Sequence, residues 1–318
     1  MNAPLRIVYF GTAPFAEPPL QALLEDPARF SVIAVVSQPD KPVGRKGEIT
    51  ASPVTLLARA RGVALLQPKT LKDDVIFSSL ETYKADVYIV AAYGKIIPKR
   101  LLDLPRIAPL NLHGSLLPKY RGASPIQSAI LEGEKITGVS LMVMDEEVDH
   151  GPVIATTSVT ITDEDTHETL EATLGDAAAG LLTDYLELFT RGEVEAKPQD
   201  HTQATFTKIL EREDGLIRWS KKDAAKICRQ IRAYDPWPGA YLLWKNKGTD
   251  MRVKIIAAEP VGATLAPGIS FALADGTPAV ATVAGGVALI EVQPEGKKPM
   301  PGRAFVNGYK NFVGSVLS

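Results

Sequence analysis

The sequence predicts an α/β fold, a doubly wound and mainly parallel sheet, followed by a small C-terminal β-barrel. Three observations predict it. Short apolar runs alternate with amphipathic segments through residues 1–192, the rhythm of βαβ units. A polar stretch carrying Lys197-Pro198 then interrupts the pattern, as a linker does. Beyond it, several short strand-like runs are separated by turns such as Asp275-Gly276 and Gly285-Gly286, the signature of a small barrel. The expected domains are therefore 1–192 and 207–318, joined by a linker over 193–206.

The elements follow in order. Leu5–Phe10, Ser31–Ser37, Val87–Ala92 and Ala108–Leu112 are continuous apolar runs, expected of strands covered on both faces. Between them, Ala16–Glu25, Pro53–Arg61 and Leu71–Tyr83 have helical periodicity. Gly138–Met144 and Val153–Val159 read as strands flanking an acidic loop, and Asp165–Arg191 as a long helix capped by Asp165 or Thr166. In the C-terminal part, Lys221–Arg232 reads as a helix. Ala240–Trp244, Met251–Ala258, Ala279–Thr282 and Val287–Val292 read as strands.

Composition narrows the function. The chain has 318 residues, 45% hydrophobic and 23% charged, with net charge −2. That is a globular composition, and bulk charge does not make it a polyanion binder. The distribution is uneven. Residues 207–318 hold 16 Lys and Arg against 10 Asp and Glu, a net of +6, while residues 1–206 carry −8. A basic C-terminal third points to a polyanionic partner at that end. The one cysteine, Cys228, rules out an intrachain disulfide, and the four histidines lack metal-ligand spacing, so no metal is expected. Met1–Arg6 runs directly into Ile7-Val8-Tyr9-Phe10 without a leader pattern, and a cytoplasmic location is expected. Gly11-Thr12-Ala13-Pro14-Phe15 follows the first strand but lacks G-x-G-x-x-G, so no dinucleotide cofactor is expected.

The chemistry concentrates in Asn111-Leu112-His113-Gly114-Ser115-Leu116-Leu117-Pro118. On a strand, Asn111 and His113 share a face, bringing an amide donor and a titratable imidazole to one cavity. In a doubly wound fold the carboxyl end of a strand is where ligands bind. The stretch Asp145-Glu146-Glu147-Val148-Asp149-His150-Gly151 offers carboxylates that could set the histidine's charge. Glu146 and Glu147 are expected to be exposed, His150 to have no role, and His167 and His201 to be surface residues.

Together with Gln38-Pro39-Asp40-Lys41-Pro42-Val43-Gly44-Arg45, Ala92-Tyr93-Gly94, Lys119-Tyr120-Arg121-Gly122, Asp149-His150-Gly151 and Arg232-Ala233-Tyr234-Asp235-Pro236-Trp237-Pro238-Gly239, this motif resembles the methionyl-tRNA formyltransferases over nearly the whole length. The Asn-x-His-x-Ser-x-Leu-Pro signature is specific to folate-dependent formyltransferases but does not name the acceptor. The resemblance implies a Rossmann-like formyltransferase domain, an OB-like barrel, 10-formyltetrahydrofolate as donor and initiator methionyl-tRNA as acceptor. It implies catalytic roles for Asn111, His113 and Asp149. Folate contacts are implied at Ser115, Leu116, Leu117, Pro118, Tyr93 and Gly94, and tRNA contacts at Lys41, Arg45 and Lys46 in the Pro39–Ile49 segment.

The chemistry agrees. Formyl transfer to an amine passes through an oxyanion that needs a donor, which Asn111 can supply. It also needs proton management, which suits a histidine tuned by Asp149. Whether His113 shuttles a proton or polarises the carbonyl stays open here. Lys208, Arg229, Lys245, Lys247, Arg252, Lys254, Lys297 and Lys298 are candidates for phosphate contacts, and Trp237 is expected to pack. A transformylase for a small amine, a formyl-folate hydrolase and a non-catalytic RNA-binding or folate-sensing protein are the alternatives. A monomer without membrane attachment is expected.

Overall fold

The computed structural model describes residues 3–43 and 48–317. The elements are β1 (Leu5–Gly11), α1 (Glu17–Glu25), β2 (Phe30–Val36), β3 (Lys41–Val43), β4 (Glu48–Thr50), α2 (Pro53–Ala60), β5 (Leu65–Leu66), α3 (Asp74–Thr82), β6 (Val87–Ala91), α4 (Lys99–Leu102), β7 (Ala108–His113), β8 (Arg121–Gly122), α5 (Pro125–Glu132), β9 (Ile136–Val143), β10 (Val153–Thr160) and α6 (His167–Thr190). They continue with β11 (Phe206–Thr207), α7 (Ala224–Ala233), β12 (Tyr241–Asn246), β13 (Thr249–Val261), β14 (Ser270–Ala272), β15 (Pro278–Ala281), β16 (Gly286–Pro294), β17 (Met300–Pro301) and α8 (Gly302–Gly308). The chain divides into two compact units. One comprises residues 1–125, 136–160 and 171–208, the other 126–135, 161–170 and 209–318.

The first unit is built on a seven-stranded sheet in the order β10-β9-β7-β6-β1-β2-β5. Strands β5, β2, β1, β6 and β7 are parallel, and β9 and β10 add antiparallel strands at one side. Ile7, Val8, Tyr9 and Phe10 of β1 are all buried, so both faces of this strand are covered, which is why it reads as an uninterrupted apolar run. β10 lies at the sheet edge, and its residues alternate in exposure. One core, containing Val8, Phe10, Val36, Tyr88, Val90 and Leu101, packs on one face of the sheet. Helix α2 starts where Ser52 accepts a hydrogen bond from the Thr55 amide, an N-cap. Strand order reverses between β1 and β6. Loops after such strands form a binding crevice, and β7 lies next to β6 with Val90 opposite Asn111.

The second unit carries an antiparallel sheet in the order β12-β13-β16-β15-β14, with β17 beside β16. It is a curled half-barrel, with register irregularities between Ile255 and Ala258 bending β13. Trp219, Ile227, Ile231, Leu242, Trp244, Leu289, Phe305 and Phe312 form its core. Cys228 is buried there and its thiol is pushed up to about 11. Trp237, expected to pack, is instead 54% exposed.

Residues 193–206, expected as a linker, belong to the first unit. Lys197 bridges Val153, the Arg121 amide donates to the Thr205 carbonyl, and β11 pairs in parallel with β8.

His167 is not a freely solvated surface residue: burial depresses its imidazole below the ordinary value, with Asp235 opposing the shift. The folded state therefore holds this ring neutral where the unfolded chain, with an ordinary value of about 6.5, takes up a proton. Stability from this group is complete above that value and declines as pH falls below it. In denaturant titrations between neutral and mildly acidic pH, His167→Gln should lose less unfolding free energy on acidification than the wild type; equal slopes would contradict the account.

Candidate active site

β7 ends in Asn111-Leu112-His113, and the sheet register explains how the polar pair is held. Leu112 lies opposite Ala91 of β6 and Leu141 of β9 and is buried. The two neighbours of Leu112 share the other face. The loop between β9 and β10 returns Asp149 to that face. Asn111 Nδ2 donates to Asp149 Oδ1 at 3.2 Å. The Gly122 amide donates to Asp149 Oδ2 at 2.7 Å, and His113 Nδ1 stands 3.6 Å from the same oxygen. His113 Nε2 is 2.9 Å from the Tyr120 carbonyl. Both imidazole nitrogens thus face acceptors. A neutral ring can donate to only one of them, whereas an imidazolium donates to both. The side chains of His113 and Asp149 are 7% and 12% exposed, so these interactions act in a partly desolvated setting.

Asp149 and Tyr120 both have left-handed backbones, with φ of 51° and 59°. Gln199 stabilises the first: its Nε2 donates to the carbonyls of Asp149 (3.0 Å) and Gly151 (2.7 Å). The turn after His113 is closed by its own hydrogen bonds. Ser115 Oγ donates to the Lys119 carbonyl, and Ser140 Oγ donates to the Ser115 carbonyl and accepts from the Leu117 amide. Ser115 is fully buried, while Leu116, Leu117 and Pro118 are partly exposed.

The Tyr93 ring is buried, edge-on to Phe10. Burial pushes its hydroxyl up to about 12. Its carbonyl accepts from Thr12 Oγ1 and Gln38 Nε2. Gly94 has φ +78°, and a Cβ there would press on the Gln38 amide, so this close approach needs glycine. The segment after Gly94 and the acidic loop are drawn together. Met144 packs on the core that contains Tyr93 and Ile97, and Lys99 pairs with Glu146 at 3.6 Å. Ile96 and Val148 remain 82% and 57% exposed, leaving apolar surface on both segments. A flat heterocycle seeks such a slot, with backbone groups at its edges.

The Pro39–Ile49 segment includes a short hairpin, β3 against β4. Lys41 at its base donates to Gln38 Oε1. Arg45 and Lys46 lie outside the described residues. In the second unit, Arg229 Nε donates to the Leu131 carbonyl, Lys254 pairs with Asp235 at 2.8 Å, and the Arg252 guanidinium lies over the Tyr241 ring. Lys245, Lys247, Lys297 and Lys298 are exposed. Among the described residues no group of three His, Cys, Asp or Glu side chains is arranged to hold a metal.

Residues 5–186 match the Formyl transferase family, and residues 209–310 match Formyl transferase, C-terminal domain. The methionyl-tRNA formyltransferase of Roseiflexus sp. (strain RS-1) is 43% identical across 99% of this chain and 95% of its own. The chain belongs to the methionyl-tRNA formyltransferase family. The family's member from Myxococcus xanthus is 41% identical over 98% of this chain and 97% of its own. Among solved structures, the fold is similar to an N-formyltransferase from Helicobacter canadensis in complex with folinic acid and dTDP-3-aminofucose. That match has a TM-score of 0.64 at 18% identity and covers 90% of this chain and 99% of that one. It is also similar to HypX from Aquifex aeolicus in complex with tetrahydrofolic acid, at TM-score 0.62 and 20% identity, covering 97% of this chain. The chain spans about half the length of that HypX chain, 48%.

Around this candidate site, Arg121 and Gly122 figure in the sequence only as part of the Lys119-Tyr120-Arg121-Gly122 motif, His150 and His201 are expected there to have no part in it, and Gln199 carries no signal at all. His150 and His201 stack in parallel with ring centroids 4.1 Å apart. His150 Nδ1 meets Asp145 Oδ2 at 2.7 Å, and His201 Nδ1 accepts from Arg121 Nη2 at 2.9 Å. Glu146 and Glu147 are exposed, as expected.

A Cβ at Gly151 would stand 2.0 Å from the Val143 carbonyl oxygen. That neighbour is backbone and cannot rotate away, so Gly151→Ala must shift the loop that carries Asp149. The substitution should lower the melting temperature and reduce formyl transfer about tenfold or more, since small displacements of catalytic groups cost rates of that order. Unchanged melting and turnover would contradict the packing argument.

Proposed function

We propose that Asn111, His113 and Asp149 form the formyl-transfer centre of this enzyme. The enzyme moves a formyl group from 10-formyltetrahydrofolate to the amino group of initiator methionyl-tRNA, as family membership implies. The observation that supports the assignment of residues is the Asp149 carboxylate, within reach of both Asn111 and His113.

Each residue has a task that its geometry fits. As the amine nitrogen bonds to the formyl carbon, the carbonyl electron pair moves onto oxygen. Asn111 uses one amide hydrogen on Asp149 and keeps the second for that oxygen. His113, with Nε2 at the Tyr120 carbonyl and Nδ1 facing Asp149, is held beside Asn111, where an imidazole polarises the carbonyl or carries a proton. Asp149 orients both partners. When the bond to the folate nitrogen breaks, the proton lost by the attacking amine is taken up by that nitrogen, so charge and protons balance. Tyr93 and Gly94, with the partly exposed Leu116–Pro118 turn, hold the folate through backbone and apolar contacts. Ser115 supports the turn from inside.

For the acceptor, Lys41, Arg45 and Lys46 engage the tRNA end, since an arginine pairs with phosphate and also with base edges. The exposed Lys245, Lys247, Lys297 and Lys298 add phosphate contacts. Catalysis is assigned to the first unit, residues 193–206 included, and tRNA binding to the second. The enzyme works as a monomer in the cytoplasm, a reading that rests on its tRNA substrate. Among the described residues no helix is long and apolar enough to cross a membrane.

Incubation with 10-formyltetrahydrofolate and charged initiator tRNA should yield formyl-methionine. Release of formate without formyl-methionine would instead identify a hydrolase. His113→Ala should lower kcat by about 10²–10⁴-fold with tRNA binding retained. Wild-type turnover in that variant would remove His113 from the mechanism. Arg45→Ala should weaken tRNA binding, reduce the slope of log affinity against log salt by about one, and leave folate affinity unchanged. Filter binding across a salt series reads all three.

A further inference from the structure

We propose that Gln199 is a positioning residue for formyl transfer, acting through the backbone of Asp149. The proposal rests on the reading of Asp149 as part of the catalytic centre.

Gln199 is 8% exposed, so its amide must be satisfied from within the protein. All of its polar capacity goes to one purpose. Nε2 donates to the carbonyls on either side of His150, those of Asp149 and Gly151. Oε1 accepts from Arg121 Nε at 3.2 Å and Nη2 at 2.7 Å. Arg121 is itself 3% exposed and also donates to His201 Nδ1. The Arg121 fork therefore dictates which end of the Gln199 amide faces the loop. The NH₂ end points at the two carbonyls, and the assignment of amide oxygen and nitrogen follows from the network.

The two carbonyls belong to the turn that needs holding. Asp149 is a non-glycine residue at φ +51°, a region that aspartate visits as an isolated residue held by local hydrogen bonds. Releasing its carbonyl lets the backbone leave that region. The carboxylate would then turn away from Asn111 Nδ2, the Gly122 amide and His113. The same strand pair is tied at its other side, since β8 carries both Arg121 and Gly122. One two-residue strand thus supplies a donor to the Asp149 carboxylate and, through Gln199, a lock on the Asp149 backbone.

Gln199→Glu tests this. It preserves side-chain volume and keeps an acceptor for Arg121, but it removes both donors to the Asp149 loop, and circular dichroism establishes that the variant is folded. Steady-state kinetics over pH should show kcat reduced about 10–100-fold with KM for donor and acceptor changed little. The pH limits of kcat should also move, and the melting temperature should fall modestly while the variant stays fully folded at the assay temperature. Gln199→Ala, which leaves Arg121 without its partner, should lose stability as well. Wild-type kcat and an unshifted pH profile in Gln199→Glu would overturn the proposal. So would a loss of activity fully accounted for by a loss of folded protein. His113→Ala run alongside separates the two levels: if it is inactive while Gln199→Glu is fully active, only the role of Gln199 falls, and if His113→Ala is fully active, the site assignment beneath it falls.

Discussion

The Asp149 carboxylate is the interaction on which the site depends. It is the one group that touches Asn111, His113 and the Gly122 amide, and it is delivered by a loop rather than by a strand. Its backbone conformation costs on the order of 1–2 kcal/mol for a residue with a side chain. A hydrogen bond to a charged group returns about 1.5–3 kcal/mol. The two donors to the carboxylate, Asn111 Nδ2 and the Gly122 amide, therefore outweigh the strain. The conformation persists because the carboxylate is held by two donors, one from a strand side chain and one from a backbone amide.

The sheet provides the rigid frame for that loop. Asn111 and His113 lie on β7, flanked by β6 and β9, so neither can move without breaking ladder hydrogen bonds. The antiparallel β9 is what makes the return possible. It runs back along β7, places Val143 opposite Leu110, and releases the chain into the acidic loop. Gly151 then passes so close to Val143 that no side chain fits, which closes the loop tightly enough to bring Asp149 back over the strand.

Much of this was legible in sequence, for physical reasons that also explain the gaps. Strands β1 and β6 are buried on both faces, so burial alone leaves an unbroken apolar signature. Asn111 and His113 stand out because they are polar residues at the end of such a run. Helix α8, Gly-Arg-Ala-Phe-Val-Asn-Gly, opens and closes on glycines and carries too short a pattern to be recognised. The β3–β4 hairpin has three-residue strands, one with a proline, and reads as a loop. Gln199 was invisible for a different reason. It sits in a polar stretch next to Lys197-Pro198 that has the composition of a linker, and its burial arises only when β11 pairs with β8, across more than eighty residues of chain. Local composition carries no trace of such a contact. The fate of His201 is the same, since its stacking on His150 is set by tertiary structure.

The contrast between the reaction centre and the acceptor surface follows from the same physics. Group transfer needs particular atoms within hydrogen-bond reach, and Asn111, His113 and Asp149 meet that need from one strand and one loop, which makes them recognisable as a motif. Phosphate recognition depends on charge summed over a surface and screened over about 8 Å at physiological salt, so no single spacing is required and no motif results. The net charge of +6 over residues 207–318 is the readable quantity, but it overstates what is free to act. Lys254 is neutralised by Asp235, and Arg229 is engaged by a backbone carbonyl. Arg252 is held over Tyr241, whereas Lys297 and Lys298 are exposed beside the turn that follows β16. Sequence counts cations without telling structural ones from those available to a polyanion. That distinction requires each side chain's partner.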